Sequence, residues 1–98
     1  MSVTVGVLAL LEAKPEKAAD LATLLKQARE LALDEQQTVT WYAFRADEVT
    51  YGIFDTFESD EGRQAHLGGE IAATLMKVAP DLLAKDPDIR QVDLIAVK

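Results

Sequence analysis

The chain has no cysteine, no asparagine and a single histidine in 98 residues. Without cysteine there are no disulfides, no thiolate nucleophile and no thiolate metal ligands. One histidine is too few for a tight zinc or non-haem iron site, so no metal is expected. Basic residues are also in short supply, 10 against 17 acidic ones, for a net charge of −7. They are scattered rather than striped, which argues against nucleic acid as a partner. No apolar run approaches the ~20 residues of a membrane-spanning helix. Met1-Ser2-Val3-Thr4 offers no basic n-region or cleavage site, so a cytoplasmic location is the default expectation. GxGxxG, P-loop and nucleophilic-triad patterns are missing as well.

What is present is apolar mass, 49% of the chain, enough for one small core. A single domain over residues 1–98 is the expectation. Val3 to Leu11 is apolar and β-branched and reads as a strand buried on both faces. Pro15 suits the start of a helix, and Leu21, Leu24, Leu25, Ala28, Leu31 and Ala32 recur at helical spacing as far as Leu33. Thr38–Ala46 and Val49–Phe57 carry the aromatic and β-branched residues of strands. Ser59 is an N-cap candidate, with Asp60 and Glu61 complementing the first turn. Gly68-Gly69 is expected to break or kink this second helix. Ile71, Ala72, Leu75, Val78 and Ala79 then resume its spacing, and Pro80 is expected to start a final short turn. Val92–Val97 reads as the last strand. The order β-α-β-β-α-β predicts a ferredoxin-like α+β fold, a four-stranded antiparallel sheet with the helices on one face.

If Asp47-Glu48 forms a two-residue hairpin loop, Tyr42 pairs with Ile53. Thr40, Tyr42, Phe44, Tyr51, Ile53, Asp55 and Phe57 then share the helix face. Val39, Trp41, Ala43, Arg45, Thr50, Gly52, Phe54 and Thr56 share the other. A slip of one residue would exchange the two sets on one strand. Both faces are apolar, and two helices cover only one. The face with Trp41, Ala43, Phe54 and a row of the first strand is therefore expected to pack against a second copy, as a homodimer.

His66 is the one side chain that titrates near neutrality unaided, and it suits a general base, a proton donor, a haem ligand or a structural hydrogen bond. Asp55, a carboxylate inside an apolar strand, needs a partner such as His66, Arg63 or Thr40. Tyr42, Phe44, Tyr51 and Phe57 form an aromatic stripe, suited either to core packing or to a flat ligand.

Asp55, Phe57, the acidic turn Glu58-Ser59-Asp60-Glu61 and Ala65-His66-Leu67 together resemble a motif of the antibiotic biosynthesis monooxygenase domain family, which includes quinol monooxygenases and anthrone oxygenases. The resemblance spans essentially the whole chain. It implies a dimeric α/β barrel with a pocket between sheet and helices in each subunit. It also implies oxidation of a quinol or polyphenol by O2 as co-substrate, with no metal, flavin or other cofactor. Catalysis would then fall to His66, oriented by Asp55, with Tyr42, Phe44, Tyr51 and Phe57 binding the substrate. Two departures bear on this. Phe57 stands where oxygenase and haem-degrading members often carry Trp, and the haem-degrading branch uses an Asn that this chain lacks, so haem is disfavoured. A non-catalytic dimeric module binding a small aromatic ligand, and an isomerase-like member, are the other expectations.

Overall fold

The first strand, β1 (Val5–Glu12), is an inner strand of the sheet, paired on both of its edges. The computed structural model describes residues 2–98. After β1 a 3-10 turn at Pro15–Lys17 leads into α1 (Ala18–Leu33). There follow β2 (Thr38–Arg45), β3 (Thr50–Phe57), α2 (Asp60–Leu67), α3 (Glu70–Leu82) and β4 (Asp88–Asp93). The strands pair antiparallel in the order β2-β3-β1-β4. This is the expected ferredoxin-like fold, with the second helical unit broken at Gly68-Gly69 as the glycine pair suggested. Among the described residues no helix is long and apolar enough to cross a membrane.

The core lies between the sheet and the helices. Ala9 and Leu11 of β1 and Tyr51 and Ile53 of β3 pack against Leu21, Leu25 and Ala32 of α1 and Ile71, Leu75 and Ala79 of α3. The spacing of three and four along each helix puts these residues on one stripe. On β1 the odd residues Val7, Ala9 and Leu11 are buried, whereas Leu8 and Leu10 are only half-buried. The strand is thus covered on one face, not on both.

The hairpin differs from expectation, and the difference decides the site. The loop has four residues, Ala46–Val49. The Asp47 carboxylate accepts hydrogen bonds from the amides of Val49 (3.0 Å) and Thr50 (2.8 Å), closing an Asx-type turn. The register therefore slips by one, and Tyr42 pairs with Phe54 and Trp41 with Asp55. Because side chains alternate along a strand, Tyr42 and Phe44 move to the face away from the helices. Trp41, Ala43 and Arg45 join Tyr51, Ile53, Asp55 and Phe57 on the helix face. The uncovered face carries Leu8, Leu10, Tyr42, Phe44 and Phe54, not Trp41 and Ala43.

Two further elements are displaced. Pro80 lies within the last turns of α3 rather than opening a new turn. The last strand begins at Asp88 and ends at Asp93, not Val92–Val97. The end of α3 is pinned beside the end of β1: Lys14 donates its amide to Leu82 (2.9 Å) and Ala84 donates to Glu12 (2.8 Å). The residues that follow Pro87 are thereby already alongside Leu10 and pair at once.

Candidate active site

Asp55 is on the helix face of β3 with no solvent exposure, a costly place for a carboxylate unless a cation meets it. That cation comes from α2. Two turns into this helix His66 is 7% exposed, and its Nε2 lies 2.8 Å from Asp55 Oδ2. Its Nδ1 lies 2.7 Å from Glu35 Oε1, so both ring nitrogens meet carboxylates. Glu35 is delivered by the tightened end of α1, where its amide bonds the carbonyl of Ala32 at 3.1 Å. The Thr38 hydroxyl donates to the same Glu35 oxygen at 2.7 Å and fixes its position. Gly62 lets α2 approach this loop, because a Cβ there would meet Gln37 Cβ at 3.0 Å. Arg63 ties the helix to the sheet by donating to the Val92 carbonyl at 3.0 Å. The Phe57 ring stands 5.3 Å from the imidazole, centroid to centroid, tilted by 42°.

Burial alone would pull the His66 pKa down. The adjacent Asp55 and Glu35 carboxylates outweigh it and hold the imidazolium above its ordinary range. Burial pushes Asp55 up, and Glu35 adds to that. Its contact with His66 opposes without cancelling it. A proton is thus held on the Asp55–His66–Glu35 chain near neutral pH. The Nε2–Oδ2 contact is short enough for an ion pair, yet it is not aligned as a hydrogen bond. Both Asp55 oxygens are buried without an aligned donor, and so is Trp41 Nε1.

Two spaces meet His66. On one side is a small hollow of about 30 Å³ lined by Val7, Ala9, Ile53, Leu67, Ile71 and other apolar groups, with Asp55 and His66 as its polar members. On the other is an open cleft of about 270 Å³ that includes Glu35, Thr38, Gly62 and Ala65. The chain Asp55–His66–Glu35 therefore runs from a small apolar hollow to a larger cleft. A larger groove, about 420 Å³, lies between α1 and β2.

Of the residues proposed from the sequence, Asp55, His66 and Phe57 are brought together. Tyr51 shares their face but lines the α1–β2 groove. Tyr42 and Phe44, turned to the other face of the sheet, also line that groove and do not reach the Asp55–His66 centre. Glu35 was missed. It sits in a loop whose composition signals only a turn, and the sole pointer was that a buried imidazole needs partners on both nitrogens. Trp41 was placed on the wrong face. Among the described residues no group of three or more His, Cys, Asp and Glu side chains is arranged to hold a metal ion.

No protein-family model matches the chain, and no curated protein matches it. Solved structures do. A protein of unknown function from Nitrosomonas europaea is 44% identical, with a TM-score of 0.95, over 98% of this chain and 93% of its own. The chain belongs to that protein's family. A Caulobacter crescentus protein provisionally named an antibiotic biosynthesis monooxygenase is 22% identical with a TM-score of 0.79, over 96% of this chain and 92% of its own. A second Nitrosomonas europaea protein with the same provisional name is 11% identical with a TM-score of 0.82, covering 94% and 99%. The resemblance drawn from Asp55 to Leu67 thus holds for the fold, which is antibiotic biosynthesis monooxygenase-like throughout.

Proposed function

We propose that the chain is a cofactor-independent monooxygenase of a small quinol or polyphenol. The observation that carries this reading is the buried Asp55–His66–Glu35 chain linking a small apolar hollow to an open cleft. Asp55, with its raised pKa, takes the proton of a substrate hydroxyl. His66, as the imidazolium, stabilises the Asp55 carboxylate from Nε2 and is held at Nδ1 by Glu35, whose side chain is 21% exposed at the cleft. His66 is then the cation that positions the base, and Asp55 the base. An electron-rich phenolate reduces O2 without help from a metal or flavin, so the protein supplies orientation, proton removal and exclusion of water. The balance closes on the substrate's own electrons: a benzenediol and O2 give a hydroxyquinone and water.

The hollow of about 30 Å³ has room for roughly one water. An aromatic ring enters it only if α2 and α3 move, or reacts from the cleft. That observation favours a second reading, a binding module that uses the α1–β2 groove and leaves O2 untouched. Under either reading a second copy covers the open sheet face, giving a homodimer.

Oxygen uptake with a panel of reduced quinols and anthrones tests the proposal, comparing wild type, Asp55→Asn, His66→Ala and no protein. Uptake that drops about a hundredfold in both variants is expected, the usual scale of general acid–base catalysis. No uptake above autoxidation overturns the enzyme and leaves the binding module.

A further inference from the structure

The groove between α1 and β2 has the volume of a small-ligand site, about 420 Å³, whereas the cavity at Asp55 does not. Its floor is apolar: Ala22 and Leu25 of α1, with Trp41 and Tyr51 of the sheet. Its other distinguishing feature is charge. Lys26, Arg29 and Arg45 all line it, and no carboxylate does. The chain has only 10 basic residues against 17 acidic ones, so three cations around one aromatic hollow run against the composition. Arg29 has one loose partner, Glu30, at 3.6 Å, and both side chains are more than half exposed. A pair of that kind holds its cation weakly. The slipped register creates the arrangement, because it turns Arg45 to the helix face opposite Tyr51.

From this geometry we infer that the α1–β2 groove binds an anionic aromatic small molecule, an aryl carboxylate or phenolate. Its ring stacks on Trp41 and Tyr51, and its charged oxygens meet Arg29, Arg45 and Lys26. Arginine suits such oxygens because its forked donors fit a carboxylate in pairs. The groove is also connected to the proposed reaction centre. It shares Arg29 and Trp41 with a neighbouring hollow of about 300 Å³, which shares Glu35 and Thr38 with the cleft at His66. The inference rests on the proposed function only in taking the bound anion to be the substrate; binding stands or falls alone.

Isothermal titration with 1-naphthoate and with the neutral 1-naphthylmethanol tests it, alongside the NMR shift of the Trp41 indole, the chain's only tryptophan. The expected result is at least about tenfold tighter binding of the acid, a preference that salt weakens. The indole resonance should shift on binding, and the preference should vanish in Lys26→Gln/Arg29→Gln/Arg45→Gln. These residues are exposed, so that variant is expected to fold, which circular dichroism checks. Equal affinities, a preference that survives in the folded variant, an unmoved Trp41 resonance, or no binding up to millimolar ligand would each overturn it. No step uses O2, so an absence of turnover leaves this result intact. Lack of binding leaves oxidation of neutral quinols open.

Discussion

Trp41 and Asp55 face each other across the β2–β3 ladder. Between them they hold every buried side-chain nitrogen or oxygen that lacks a hydrogen-bond partner among the described residues. Facing side chains in an antiparallel pair start only ~5 Å apart at Cβ. The two residues are thus neighbours on the helix face, and Asp55 Oδ2 lies 2.8 Å from His66 Nε2.

The unpaired indole N–H carries a stability consequence. A buried unpaired N–H costs ~1–3 kcal/mol, and truncating an indole to a phenyl ring loses a comparable amount of packing. Trp41→Phe is thus expected to be neutral or stabilising by up to about 1 kcal/mol, read as the urea midpoint by circular dichroism at unchanged slope. A loss above ~2 kcal/mol would show that the indole N–H has a partner in solution.

The raised pKa of His66 sets a pH dependence. The folded state binds this proton more tightly than the unfolded chain, whose reference value is 6.5. The stabilisation is complete below that pH and fades as pH rises through the higher folded value. Asp55 is shifted up from 3.8, so its contribution also declines with rising pH, from that value through its raised folded one. Urea midpoints should therefore fall from pH 6.5 upward. The double variant His66→Gln/Asp55→Asn, which removes both groups, should be flat over the same range. A wild-type midpoint that rises or stays level would contradict the assigned charges.

Gly52 tests the register that builds the site. A Cβ there would overlap the Phe44 ring and come within 2.8 Å of the Ala9 carbonyl oxygen. Gly52→Ala should cost about 1–3 kcal/mol, the usual range for overpacking. Adding Phe44→Ala should recover only part of it, because the Ala9 oxygen belongs to the main chain of β1. A neutral Gly52→Ala would mean that Phe44 does not lie across Gly52.

The order of elements was legible because each had its own signature: β-branched runs, helical spacing on both sides of Gly68-Gly69, and a proline and an acidic first turn at the helix starts. Asp55 and His66 stood out as a charge within an apolar strand and as the one imidazole. The register was not legible. Asp47 allows a two-residue loop and a four-residue Asx turn alike, and the choice between them moves Trp41 from one face to the other. Glu35 was invisible for a related reason. It reaches His66 from 31 positions away in sequence, through the placement of a loop rather than any local pattern.

The uncovered sheet face gives the last expectation. Leu8 and Leu10 are half-buried there, Phe54 stands opposite both Leu8 and Tyr42, and Tyr42 is 59% exposed. A contiguous apolar patch of this kind on a small monomer invites association. The helices on the opposite face leave it free for a second copy, whose identical patch is self-complementary about a two-fold axis. Light scattering should give about twice 10.7 kDa at micromolar concentration. Phe54→Glu places a charge at the centre of the face and should return the monomer with its circular dichroism unchanged. A wild-type chain that runs as a monomer would leave the patch without its partner and remove the barrel from the proposal.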